Sequence, residues 1–313
     1  MIRAVITGML RPFIEPHLPE TVEAHWFATK DEALKLAPDA EIGWFDMYEK
    51  SDMVQIIAAA QKMKWLNSLY AGADGMPLDD LSARGVVYTN GAGINAITIA
   101  EYVVMGMLII AKGYRDVVRA QDAHNWLQHP PGKGELAGSK ALLIGYGAIG
   151  KLIEARLTPF DVELVKVRRN ADGNDTLGPD AWRDRLGEFD YVILSAPATA
   201  ETEHMIGAAE LAAMKGSAIL INISRGSLVD QDALVTALRD KTIVAAFLDV
   251  TTPEPLPADH ALWSLDNAHI AMHLSGQSQE KMAPRAAKLF LANLERYQAG
   301  HPLANKVDLK LGY

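Results

Sequence analysis

ALLIGYGAIGKLIEARL, residues 141 to 157, passes from an unbroken apolar stretch through closely spaced glycines into a segment with helical periodicity. Such an apolar run predicts a strand buried on both faces, the kind found in parallel sheets. Gly145, Gly147 and Gly150 fall in the order G-x-G-x-x-G at the junction of strand and helix. There the first glycine permits a tight turn, the second lets the backbone approach a pyrophosphate, and the third lets helix and strand pack closely. The segment carrying Tyr146, Ala148 and Ile149 then opens a helix whose first N–H groups face an anion. An ordinary glycine turn has the same spacing, and it is the strand before and the helix after that favour a dinucleotide site.

Strand-like runs recur on both sides of this stretch. RAVIT, EIGWF, WLNSLY and GVVYTN precede Asn90's neighbourhood, and ALLIGYG, VELVKV, YVILSA, AILINIS, IVAAFLDV and AHIAMH follow from Ala141. Helical stretches separate them, which predicts an α/β fold with parallel sheets joined by crossover helices. Between the two groups a long helix is expected from about Thr98 to Asp122. Its apolar part, AITIAEYVVMGMLIIA at residues 96 to 111, is interrupted by Glu101 and falls short of the ~20 apolar residues that a membrane span requires. HNWLQHPPGKGELAGSK reads as the loop into the second group, and SQEKMAPRAAKLFLANLERYQAG as a terminal amphipathic helix. No internal repeat is present.

With 313 residues and 49% hydrophobic content, the chain has enough apolar material for two cores. Its net charge of −9 offers no general attraction to nucleic acid or to acidic membranes, so neither is an expected partner, and an anionic substrate would need local arginines. The absence of cysteine removes disulfides, thiolate nucleophiles and cysteine-based metal sites. MIRAVITGMLRP reads as a first strand and not as an export signal, so a cytoplasmic setting is expected.

In a nucleotide-binding unit the second strand ends, about 20 residues past the glycines, in an acid that accepts hydrogen bonds from the adenosine ribose. Arg168 and Arg169 stand there instead. An arginine pair cannot accept those bonds but can grip the 2′-phosphate of NADP, so NADPH is the expected cofactor, with NADH left possible. A solvated arginine pair at a strand end is the plainer alternative.

GYGAIG, APATAETEHMI, MKGSAILINISRGSLVDQDALVTAL, AAFLDVTTPEPLP and AHIAMHLSG, taken in order, resemble the D-isomer-specific 2-hydroxyacid dehydrogenases. The resemblance runs from about Trp65 to about Asn293 and is closest in character to the glyoxylate and hydroxypyruvate reductases that use NADPH. It implies two Rossmann-like domains with parallel sheets: a split substrate domain, residues 1–97 plus 285–313, and an inserted dinucleotide-binding domain, 98–284. It also implies catalytic roles for Arg225, Glu254 and His273. The chemistry suits these residue types. Reducing a 2-oxo acid delivers a hydride to the carbonyl carbon and a proton to its oxygen, and a histidine titrating near neutrality suits the proton. A carboxylate on the imidazole fixes its tautomer and favours its charged form. An arginine matches the substrate carboxylate with its planar fork and stabilises charge building on the carbonyl oxygen.

By the same resemblance the backbone N–H groups of Ala71, Gly72 and Ala73 would hold the substrate carboxylate. Thr98, Pro197, Thr202, Ile223, Asp249, His273 and Gly276 would line the cofactor, and a homodimer would form through the Thr98–Asp122 helix and the loop to Ser139. His269 and His273 have a zinc-like spacing only if they share a helix, and on a strand no metal is expected. Trp44, Met47, Tyr70 and Trp126 are candidates for lining the substrate site, with core or interface packing the plainer reading.

The chain departs from the family at three points. Ala271-Met272-His273 replaces Thr-Pro-His, which suggests a less rigid approach to the histidine. Asp161 replaces a turn glycine. Arg168 replaces the acid. The competing functions are phosphite oxidation with a similar triad and nucleotide sensing like that of the C-terminal-binding co-repressors. Formate oxidation is disfavoured because relatives with that activity carry Gln where Glu254 stands.

Overall fold

The computed structural model describes every residue except Tyr48, Asn170, 172–175, Gln279 and Tyr313. The chain divides into two compact units, Met1–Asn95 with Ser278–Tyr313, and Ala96–Gln277, so the second is inserted into the first.

The first unit is built on β1 (Ile2–Thr7), β2 (Val22–Phe27), β3 (Ile42–Trp44), β4 (Trp65–Asn67) and β5 (Val87–Thr89). These strands form one parallel sheet in the order β2-β1-β3-β4-β5. Alternation along each strand feeds both faces: Val5 and Leu66 enter one apolar cluster, Ala4, Ile6 and Trp65 the other. The second cluster is closed by the helix Met282–Gln298. Its Phe290 ring stacks on Trp65 with centroids 5.1 Å apart and meets Trp44 at the same distance, while Tyr297 stacks on Trp65 at 5.5 Å. Trp44 is therefore a core residue.

The second unit carries β6 (Lys140–Ile144), β7 (Glu163–Val167), β8 (Thr176–Leu177), β9 (Tyr191–Leu194), β10 (Ile219–Asn222), β11 (Ala245–Leu248) and β12 (Ala268–Ile270). All are parallel, in the order β12-β11-β10-β9-β6-β7-β8. The sheet is doubly wound, and its order reverses between β6 and β9, where such sheets bind ligands. The apolar run of β6 divides as a two-faced strand should: Leu142 and Ile144 enter one cluster, Ala141 and Leu143 the other.

The structure adds two strands to those expected. β2 is an edge strand, VEAHWF, whose middle is only half buried, so its apolar signal is diluted by Glu23 and His25. β8 is a two-residue edge strand. The long helix expected between the units is broken: Ala96–Lys112 and Tyr114–Asp122 meet at an angle of 69°. Gly113 makes the break, with φ +59 and a backbone so close to Pro131 and Gly132 that a Cβ would collide. The first arm buries Ala100, Val103 and Met107 against Ile153 and Leu157, whereas the second buries nothing. Among the described residues no single helix is long and apolar enough to cross a membrane. At the C-terminus the helical stretch begins at Met282 and not at Ser278, and Gln279 lies outside the described residues.

Candidate active site

In the second unit the chemically distinctive residues all follow the carboxyl ends of strands: Gly145 after β6, Arg168 after β7, Pro197 after β9, Arg225 after β10, Glu254 after β11 and His273 after β12. In a parallel sheet these ends share one edge.

The turn after β6 brings its backbone close to its neighbours and leaves one side open. Gly145 has φ +99, and a Cβ there would run into the backbone of Ser195. Gly150 lies so close to the Gly145 carbonyl that its added Cβ would sit 2.8 Å away. Gly147 caps the helix Ala148–Leu157 and faces open space where a side chain would project. The first-turn N–H groups of that helix have no partner within it, and the helix dipole places partial positive charge there. Arg168 extends past β7 with its N–H donating to Leu177 O at 3.0 Å, and its guanidinium carbon lies 5.9 Å from the centre of the Tyr146 ring. Arg169 is exposed and reaches Glu201 at 3.3 Å. The glycine cradle fits a dinucleotide, and the strand end beside it is cationic.

A second constellation gathers Arg225, Glu254 and His273. His273 Nδ1 lies 2.7 Å from Glu254 Oε2, and Glu254 Oε1 accepts the Thr251 N–H at 3.0 Å. With Nδ1 engaged, Nε2 is the nitrogen available to a substrate. The hydrogen bond that the ring donates to Glu254 raises the His273 pKa above its ordinary value, against the opposing effect of burial and the charge of Arg225. Burial pushes the Glu254 carboxyl up, but His273, the Thr251 N–H and Arg225 together outweigh it and leave it below its ordinary value. Arg225 and Glu254 line the same open depression of about 200 Å³ with Gly226, Ser227 and Thr251 to Pro253. Asn222 explains the N-x-x-R spacing: its Nδ2 donates to the Arg225 carbonyl at 2.8 Å and its Oδ1 accepts the Ser224 N–H at 3.1 Å, which fixes the turn presenting the guanidinium.

Met272 and His273 both adopt left-handed backbone, φ +53 and +56, a conformation that costs non-glycine residues of order 1 kcal/mol or more each. The loop is held against this cost by Ala271 N–H to Leu248 O at 2.8 Å and His273 N–H to Asp249 O at 2.6 Å. Asp161 is also left-handed, at φ +55. Aspartate is among the residues that tolerate this region.

Asp249 is buried, and its carboxylate is taken by the Ser275 hydroxyl and, at 3.1 Å, by the Ser275 N–H. Burial raises its pKa despite those bonds. Thr98 Oγ1 donates to the Ser275 carbonyl at 2.7 Å, so Thr98, Asp249 and Ser275 form one linked group, with Gly276 next in the chain. Thr202 caps its own loop, giving its hydroxyl to Pro197 O at 2.8 Å and accepting the Thr199 N–H. Ile223 is buried beside β9. His269 lies on β12, and burial, reinforced by Arg115, lowers its pKa to about 4, so it stays neutral.

The first unit carries Ala71, Gly72 and Ala73 on a loop after β4. Asn90 Nδ2 donates to Ala71 O at 2.6 Å. Beneath the start of this loop lies an acid that the sequence did not single out. Asp46 is buried and accepts the indole N–H of Trp44 at 2.6 Å, the Ser68 hydroxyl at 2.7 Å and the Leu69 N–H. Burial pushes its pKa up to about 6, against the pull of those three donors. Tyr70 is partly exposed and donates to Met47 O at 3.0 Å, Met47 packs against the unit's core, and Trp126 of the second unit is exposed.

A doubly wound sheet with a glycine cradle and an Arg-Glu-His group defines a dinucleotide-dependent oxidoreductase. The family model for the D-isomer specific 2-hydroxyacid dehydrogenase NAD binding domain matches residues 104–275. The chain is 30% identical to a glyoxylate reductase of Thermofilum pendens over 302 residues, covering 91% of this chain and 87% of the relative. A D-isomer specific 2-hydroxyacid dehydrogenase family protein from Aeromonas salmonicida superposes with a TM-score of 0.88 at 28% identity, covering 98% and 99% of the two chains. An NADPH-dependent glyoxylate/hydroxypyruvate reductase from Sinorhizobium meliloti superposes with a TM-score of 0.81 at 25% identity, covering 99% and 98%. The chain belongs to the D-isomer specific 2-hydroxyacid dehydrogenase family. It is an oxidoreductase of the class acting on CH–OH donors, with an NAD(P)-binding domain.

Proposed function

We propose that this protein reduces a small 2-oxo acid of the glyoxylate or hydroxypyruvate kind to the D-2-hydroxy acid, with NADPH as the preferred reductant. The observation that supports the reading is the 2.7 Å contact between His273 Nδ1 and Glu254, which leaves Nε2 as the other ring nitrogen for proton transfer. The named activities of the Thermofilum and Sinorhizobium relatives support the substrate class.

Bound nicotinamide supplies the hydride. His273, whose protonated form Glu254 favours, delivers the proton from Nε2 to the carbonyl oxygen as charge develops there. Arg225 pairs with the substrate carboxylate and steadies the same oxygen. The N–H groups of Ala71, Gly72 and Ala73 bind the carboxylate as neutral donors. The glycine turn from Gly145 to Gly150 binds the pyrophosphate, and Arg168 with Arg169 grips the 2′-phosphate. Pro197, Thr202, Ile223 and Gly276 would line the cofactor, with Asp249 and Thr98 on its nicotinamide side. Residues 1–97 with 285–313 serve as the substrate domain and 98–284 as the dinucleotide domain.

The protein works as a homodimer in the cytoplasm. The reading is supported by the apolar side chains left exposed on the second helical arm and the loop after it: Tyr114, Val117, Val118, Trp126 and Leu127. Sedimentation would detect the dimer, and a Trp126→Asp substitution should shift it toward monomer.

The activity test follows loss of reduced-cofactor absorbance with glyoxylate, hydroxypyruvate, pyruvate and phenylpyruvate, each with NADPH and with NADH. Turnover that falls about 10²- to 10⁴-fold in His273→Gln is the expected result. Wild-type activity unchanged by His273→Gln and Arg225→Ala would overturn it. Silence with every oxo acid would favour phosphite oxidation or sensing.

A further inference from the structure

Tyr146, Glu154, Lys166 and Arg168 form a connected set beside the glycine turn. The Tyr146 hydroxyl donates to Glu154 Oε2, and Lys166 Nζ donates to Glu154 Oε1 at 2.9 Å. Lys166 Nζ also lies 5.3 Å from the centre of the Tyr146 ring, and Arg168 packs over the same ring at 5.9 Å. The pleat explains the shared ring: Lys166 and Arg168 are two apart at the end of β7 and point to one side, while Val165 and Val167 point into the core. Glu154 stands on the helix whose N-terminus bears the cradle, so the set ties that helix to the strand end.

Both oxygens of the Glu154 carboxylate are thus occupied, by Tyr146 and Lys166. The Lys166 ammonium is largely buried, with 15% of its side chain exposed, and it cancels the Glu154 charge at close range. Without it an uncompensated carboxylate would sit next to the site where a phosphate must bind. It would repel the dianion and compete with it for Arg168.

We infer that Lys166, held between Glu154 and the Tyr146 ring, is a specificity-determining positioning residue: it neutralises Glu154 so that Arg168, seated on Tyr146, reads the 2′-phosphate. The inference rests on the proposed use of NADPH. Lys166 acts on the cofactor site through its neighbours. Its effect is electrostatic, through Glu154, and geometric, through the aromatic platform it shares with Arg168.

The test uses the whole protein and calorimetric binding of 2′,5′-ADP and 5′-AMP, which differ by the 2′-phosphate alone. Wild type should bind 2′,5′-ADP more tightly. Lys166→Met, which keeps the apolar stem, should cut the ratio of the two affinities by about tenfold or more while 5′-AMP binding is kept. Adding Glu154→Gln to Lys166→Met should restore most of the ratio, because the carboxylate that Lys166 screens is gone. A merely structural lysine would not be rescued in this way. An unchanged ratio in Lys166→Met, or a double variant no better than the single, would overturn the inference and leave the NADPH reading intact. A wild-type protein that binds both ligands equally would overturn that reading and the inference with it.

Discussion

His273 and Glu254 are joined at 2.7 Å although both stay substantially open to solvent, with 50% and 37% of their side chains exposed. The contact is therefore accessible to a substrate, and its electrostatic benefit is partly screened by water. Its consequence is a matter of protonation. A raised histidine pKa means that the proton donor stays loaded to higher pH than an ordinary histidine would. In the reducing direction kcat/KM should hold at low pH and fall as pH rises through an inflection above 6.5, the ordinary histidine value. In Glu254→Gln the inflection should move to lower pH. A pH profile of both proteins checks this, and an inflection that does not move would separate Glu254 from the histidine's titration.

Arg168 stands where a ribose-binding acid would disfavour a phosphate. Arg168→Ala should raise the KM for NADPH by about tenfold or more, corresponding to roughly 1.4 kcal/mol, with the KM for NADH nearly unchanged. Equal changes for the two cofactors would assign the arginine to the fold and not to the phosphate.

Asp46 gives the first unit a pH dependence of its own. Its folded pKa, about 6, lies above the 3.8 of an ordinary aspartate. The protonated form is thus favoured by folding, and that stabilisation is complete below 3.8 and lost as pH rises through about 6. Between pH 5 and pH 7 the wild type should lose on the order of 1 kcal/mol that Asp46→Asn does not lose. Denaturant midpoints of the two proteins at both pH values measure the difference. Because Asp46 receives the Leu69 N–H, the same substitution should also raise the KM for the oxo acid through the loop that follows.

Phe290 is fully buried between Trp44 and Trp65. Phe290→Ala should cost about 3–5 kcal/mol, read as a loss of stability with the nucleotide affinity of the second unit retained.

What could be read from the chain followed the range of the interactions. The β6 run and its glycines announce themselves because strand, turn and helix are set by neighbours within 17 residues, Ala141 to Leu157. Arg225, Glu254 and His273 stand out through motifs that resemble those of the family, although nothing local reports that Glu254 and His273, 19 apart, meet. Distant contacts stayed hidden. Gly113 breaks its helix because Pro131 and Gly132 lie against it, and the helical periodicity of residues 96–122 gives no warning. Asp46 resembles a surface acid after a strand until Leu69 and Ser68 enclose it. Glu154 and Lys166 read as ordinary charges of a helix and a strand, since only the fold pairs them. β2 was missed because an edge strand lacks the continuous apolar signature of an interior one.

The parallel order of the second sheet has a consequence for how such a protein can change over generations. Ladder pairing is set inside β6 to β12, while Arg168, Arg225, Glu254 and His273 sit just beyond strand ends. Lengthening, shortening or rewriting one of these loops leaves the strand register and the two apolar layers as they were. Arg168, Arg225 and Glu254 lie beyond different strands, so each can be replaced without disturbing the others, as interchangeable fittings on one inherited chassis.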